Sequence, residues 1–218
     1  MYWLPRGGRA QQQDTAGTIM IPRPGLSTPG FGAQEQIDIH LLKQGIYFLC
    51  GEIGHESVTK AIQWITFANQ NQDLDEHSGA WPLTLYINSA GGNLYDAFAL
   101  IDVMRASSRP IQTIGIGSVL SAAFLIFTSG AAGRRFIGPN CGLMCHQFSD
   151  SVEGKHHDLQ ASLKEGIHCD LRMMEILKTA TGLDAKIIKR KLLNETDQWF
   201  TSAEALDMGI ADQLFTRF

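Results

Sequence analysis

Three side chains in this sequence are of the types that acyl transfer by serine requires: Ser121, His146 and Asp197. A hydroxyl attacks a carbonyl carbon efficiently only when a base removes its proton. Imidazole can do this near neutral pH when a carboxylate holds its ring. The oxyanion that forms also needs main-chain N–H donors. Asn88-Ser-Ala-Gly-Gly92 is a candidate source, because it ends an apolar run and opens a helical pattern. Two glycines there let a backbone turn tightly and bare its amides. Together these fragments point to peptide hydrolysis through a serine nucleophile.

Each fragment also has a plainer reading. Gly91-Gly92 would serve an ordinary strand-to-helix turn. Ser121 would cap a helix, a role that Ser118 fits equally well. A histidine that ends a strand, as His146 does in Leu143-Met-Cys-His, is commonly a structural group. Asp197 lies in the polar run Asn194–Phe200, where aspartate is a usual turn former. Cys145 adjoins His146, but neighbouring strand residues point to opposite faces, so the two should not pair and Cys145 reads as core.

Other chemistries are poorly represented. The chain has no Gly-x-Gly-x-x-Gly around its glycine pair and no Gly-Lys-Ser/Thr, so no nucleotide cofactor is expected. The Gly-x-Ser-x-Gly elbow of α/β-hydrolases is missing. His156-His157-Asp158 invites a metal reading. Without a helical His-x-x-x-His or clustered cysteines it fits a polar helix start better, and no metal is expected. Cys50, Cys141, Cys145 and Cys169 include no Cys-x-x-Cys pair and read as buried, reduced thiols.

The elements that must position these groups alternate along the chain. Residues 1–34, rich in Gly, Pro, Gln and Ser, read as an irregular or disordered arm. Residues 35–218 form the folded domain. Strands are expected at 46–50, 83–87, 111–116, 136–137 and 143–145. A helix over 57–69 carries Val58, Ile62, Ile65 and Phe67 as its apolar stripe. A polar loop covers 70–82, and a second helix 93–104. The nearly all-apolar run 119–127, with Ser121 inside it, reads as a buried helix.

A long helix over 158–179 places Leu159, Leu163, Ile167, Leu171, Met174 and Leu177 at helical spacing, with Gly182 as its C-cap. A short helix covers 185–193. Thr201-Ser-Ala-Glu204 starts a last one, which Gly209 ends. This alternation predicts an α/β domain of repeated β-α units with mostly parallel strands.

Composition bounds the function. At 218 residues the chain is one domain with appendages, 44% hydrophobic and 18% charged. A net charge of −4 offers no field for nucleic acid or anionic lipid, so neither is an expected partner. No apolar stretch approaches the ~20 residues that span a bilayer. Residues 1–17 hold two arginines and one acid, Asp14, so the chain reads as cytoplasmic, or stromal if it comes from a plastid.

With these residues assembled, the chain resembles the proteolytic subunits of the ATP-dependent Clp protease, serine peptidases with a crotonase-like fold. The likeness covers residues 37–217. It starts at Asp38-Ile-His-Leu-Leu and continues through Tyr86-Ile-Asn-Ser-Ala-Gly-Gly92, Thr128-Ser-Gly-Ala-Ala-Gly-Arg-Arg-Phe136, Pro139-Asn140, Met144-Cys-His-Gln147 and Ser202-Ala-Glu-Ala-Leu-Asp-Met-Gly-Ile-Ala-Asp212. Departures include Ala90 in place of proline, Ala122-Ala123 in place of Met-Gly, and Phe148-Ser-Asp-Ser-Val after His146.

The resemblance implies Ser121 as nucleophile, His146 as general base, Asp197 as its orienter, and the amides of Gly92 and Ala122 as oxyanion donors. It makes the stretch 148–180 a handle between two heptameric rings of this or paralogous subunits, forming a tetradecamer. It further implies unfolded polypeptides as substrate, fed by an AAA+ unfoldase that uses the ATP. Two other readings are a structural, weakly active or inactive ring subunit supporting active paralogues, and a crotonase-fold acyl-CoA enzyme. The last lacks a carboxylate base near the glycines.

Overall fold

The computed structural model describes residues 32–70, 81–149 and 153–217. Most of the arm expected over residues 1–34 therefore lies outside the described residues. The described chain opens with helix α1 (Ala33–Lys43), which has no buried residue and gave no apolar pattern to read. Glu35 accepts from the Gly32 amide at 2.8 Å and steadies its first turn.

The next five elements are β1 (Ile46–Ile53), α2 (His55–Gln70), β2 (Leu83–Gly92), α3 (Leu94–Ala106) and β3 (Ile111–Leu120). Apolar, β-branched runs supply the strands, and a helix carries the chain back between each parallel pair, as parallel pairing requires. In α2 the buried stripe is Val58, Ala61, Trp64 and Ile65. Trp64 stacks on Tyr47 of β1, whereas Phe67, expected in that stripe, is exposed. Asn93 caps α3 by accepting from the amides of Tyr95 and Asp96.

Helix α4 (Ala122–Thr128) follows, then β4 (Arg135–Ile137) and β5 (Gly142–Cys145). All seven residues of α4 are buried, against β2, β3, α3 and the helix after β5. The sequence expected this helix to start at Val119. Val119 and Leu120 are instead strand, because β3 forks: Thr113, Ile114 and Gly115 pair with β4, whereas Ser118, Val119 and Leu120 pair with β5. Ladder hydrogen bonds to β5 hold those residues extended, and periodicity in an all-apolar run could not have shown it.

The chain then forms α5 (His156–Thr181), α6 (Ala185–Lys191), β6 (Gln198–Phe200), α7 (Ser202–Asp207) and β7 (Gln213–Leu214). Gly182, at φ 71°, closes α5 in the left-handed conformation its position suggested. Thr201 caps α7, accepting from the Glu204 amide. The sheet order is β1-β2-β3-β4-β7, with β5 on the second half of β3 and β6 beside β5. Every pair is parallel except β5–β6. The polar run before α7 thus contains a strand, where the sequence suggested only a loop. The fold is the mixed α/β arrangement of repeated β-α units that the alternation predicted.

Candidate active site

Ser121 sits in the turn between β3 and α4, with φ 54° and ψ −121°. Among the described residues it is the one non-glycine with positive φ. Such a conformation costs about 1–3 kcal/mol and persists only where the surroundings impose it. They do so here. The Ser121 amide donates to the Met144 carbonyl at 2.9 Å, and the Ser121 carbonyl accepts from Phe124 at 3.0 Å.

Gly91 makes room on the other side. A Cβ there would lie 2.8 Å from both the Leu120 carbonyl oxygen and the Ser121 Cβ. Gly92 has a different reason to be glycine, since a Cβ on it would overlap the Ile53 carbonyl of β1. The pair is therefore no ordinary turn: both residues end strand β2, at φ 100° and 149°.

The Ser121 side chain makes no capping hydrogen bond to α4. It lies 2.8 Å from Nε2 of His146, the residue that follows β5. Ser118, the other candidate cap, is strand. Its amide and hydroxyl both donate to Asn88 Oδ1, at 3.1 and 3.3 Å, tying β3 to β2. Cys145 points the opposite way from His146 and is 1% exposed. Burial pushes its thiol up to about 12, against a smaller lowering by the His146 backbone, so it carries no thiolate at neutral pH. The Cys141 thiol is likewise pushed up, to about 11, by burial.

Asp197 stands immediately before β6. The β5–β6 register runs Leu143↔Phe200, Met144↔Trp199 and Cys145↔Gln198. One further step along that antiparallel ladder sets Asp197 opposite His146. Asp197 is exposed, and no hydrogen bond joins its carboxylate to the His146 ring among the described residues. The structure thus brings Ser121 and His146 into contact and leaves Asp197 near them but unjoined.

Ser121 and His146 line a cleft of about 230 Å³ together with Gly92, Ala122, Leu94, Leu125, Phe148 and Met173. Gly92 and Ala122, the expected oxyanion donors, are therefore on the same wall as the hydroxyl. The Ala122 amide opens α4 and has no acceptor within the helix. Sequence reasoning missed Met144, Leu125 and Met173. Met173 lies two turns from the end of the long helix, and nothing local in sequence links it to Ser121. His156, His157 and Asp158 form the exposed first turn of α5. Among the described residues no three His, Cys, Asp or Glu side chains are grouped to hold a metal ion. No helix among them is long and apolar enough to cross a membrane.

A mostly parallel α/β sheet that sets a strained serine against an imidazole in a cleft has the make-up of a serine-type hydrolase. Comparison with known proteins gives the family. A family model described as Clp protease matches residues 32–218. The ATP-dependent Clp protease proteolytic subunit 1 of Leifsonia xyli subsp. xyli (strain CTCB07) is 31% identical over 184 residues, covering 84% of this chain and 89% of that protein. The chain belongs to the Clp protease family, a family of serine peptidases.

Proposed function

We propose that this chain is a serine endopeptidase subunit of a barrel-shaped Clp-type protease, with Ser121 as nucleophile, His146 as general base and Asp197 as the group that orients the imidazole. The observation that carries this reading is the 2.8 Å contact between Ser121 Oγ and His146 Nε2, made at a strained turn inside a cleft. For Nε2 to accept from the hydroxyl, the ring must hold its proton on Nδ1. The Asp197 carboxylate, one ladder step from His146, is the acceptor that would fix that tautomer and stabilise the imidazolium.

Ser121 Oγ attacks the peptide carbonyl while Nε2 takes its proton. The amides of Gly92 and Ala122 receive the oxyanion, and His146 then protonates the departing amine. Water repeats the sequence on the acyl-enzyme. No step calls for a cofactor in this chain. The matched relative's name supports an ATP-using partner, which we assign to an AAA+ unfoldase delivering unfolded polypeptide. The exposed aliphatic face of α5 supports assembly with like or paralogous subunits, in heptameric rings joined through this helix.

Ser121→Ala tests the reading. Labelling by an acyl-serine probe should vanish, and cleavage of an unstructured peptide should fall at least about 10³-fold. Wild-type protein that never labels, alone or assembled with paralogues, would overturn it and leave a structural ring subunit.

A further inference from the structure

The cleft beside Ser121 meets a second hollow at one side chain. A groove of about 440 Å³ runs between α3 and α5, and Tyr95 belongs to the lining of both. The groove is charged, with Asp102, Arg105, Arg172 and Glu175 on its walls. The cleft side mixes Leu94, Leu125, Phe148 and Met173 with Asn93, Gln147 and Ser149 and, among the described residues, bears no carboxylate or guanidinium. Tyr95 therefore stands between the cleft and the charged walls of the groove.

Its position is fixed from both ends. The Tyr95 amide donates to Asn93 Oδ1 at 2.9 Å, and its hydroxyl donates to Glu165 Oε1 of α5 at 2.6 Å. The buried Cys169 thiol donates weakly to the same hydroxyl, at 3.7 Å. Glu165 is braced in turn by Arg172, at 3.2 Å, and by His168, at 3.3 Å. Arg172 closes the circuit by lying over the Phe98 ring of α3, 5.7 Å from its centroid. The hydrogen bond to Glu165, and then that from Cys169, hold the phenol well above its ordinary range, so it remains a donor.

A cleft of about 230 Å³ must hold the scissile amide as well as a side chain. Tyr95 bounds that space on the side of the groove, so its ring limits the size of the side chain that fits beside Ser121. We infer that Tyr95 is a specificity-determining residue of this cleft: latched to Glu165, its ring is the partition that keeps the subsite beside Ser121 from opening into the charged groove. Large residues are thereby excluded from the acyl side of the scissile bond. The inference rests on Ser121 being the nucleophile.

The test uses two peptidyl phosphonates that differ only in the residue next to phosphorus, leucine-like or tryptophan-like. Ser121 Oγ bonds to phosphorus, a phenoxide leaves with the electron pair, and the serine proton passes to His146. Intact mass of the full chain, in its assembled state, gives the labelling rate. The wild type should favour the leucine probe by about tenfold or more. Tyr95→Ala should lower that ratio by about tenfold, and Tyr95→Phe, which keeps the ring and loses the latch, by about threefold.

An unchanged ratio in Tyr95→Ala overturns the partition, as does a proportional loss with both probes, which would make Tyr95 a structural residue. Wild-type protein that labels no faster than Ser121→Ala removes the nucleophile reading itself, and the inference with it.

Discussion

The two ends of α5 carry the same kinds of side chain in opposite surroundings. Toward the C-terminus, Cys169, Met173, Ile176 and Leu177 are buried against the core. Toward the N-terminus, Leu159, Leu163 and Ile167 are 43, 68 and 53% exposed. At 1.5 Å per residue the 26-residue helix is about 39 Å long, more than the domain can cover. The buried end is also anchored by charge. Arg135 donates to the Ala180 carbonyl at 2.7 Å while pairing with Asp212 at 2.6 Å. The exposed end is held instead by the Tyr95–Glu165 hydrogen bond, and its aliphatic residues recur at steps of four, on one face. What separates the ends is therefore the surface opposite them: one end meets the core of the domain, and the other has no apolar surface packed on it among the described residues.

Substitutions at the two ends should part company. Leu177→Ala, at the buried end, is expected to lose about 2–5 kcal/mol in urea unfolding, because the packed core cannot close over the cavity. Asp212→Asn should lose about 3 kcal/mol by leaving the Arg135 guanidinium, 6% exposed, without its carboxylate. It should also change the response to acid. Burial raises the Asp212 carboxyl, but the hydrogen bonds and charge of Arg135 outweigh that and leave it lowered.

A carboxyl lowered on folding contributes stability that is complete above its unfolded value, about 3.9, and lost as the pH falls through the folded one. The wild type should therefore lose stability faster than Asp212→Asn below about pH 4. Parallel acid slopes in unfolding measurements would dismiss this anchor.

Leu163→Ser, at the exposed end, should change unfolding by less than about 0.5 kcal/mol, and native mass measurement should show it weakening the assembly proposed through α5. A loss as large as that of Leu177→Ala would mean that the contrast between the ends is false.

The strands at 46, 83 and 111 and the long helix were legible in sequence because each has one dominant signal, an apolar run or an apolar step of three to four. Helix α1 was not, since a helix with no buried side chain has no face to reveal it. The start of α4 was misread for the opposite reason: Val119–Phe127 is apolar throughout, and only pairing with β5, more than twenty residues later, makes its first two residues strand. The Ser121–His146 contact was suggested by residue type and by resemblance. Its geometry depends on that same β3–β5 pairing, which no local pattern encodes. The nearness of Asp197 to His146 comes from β6, a three-residue strand hidden in a polar run.

At φ 54° and ψ −121°, residue 121 occupies a backbone region that glycine enters freely and other residues rarely do. A side chain branched at Cβ would be crowded there by its own main chain, so threonine is barred although its hydroxyl has the right chemistry. Cysteine, unbranched, is not. The fold thus permits oxygen to be exchanged for sulfur at this position while refusing one additional methyl group.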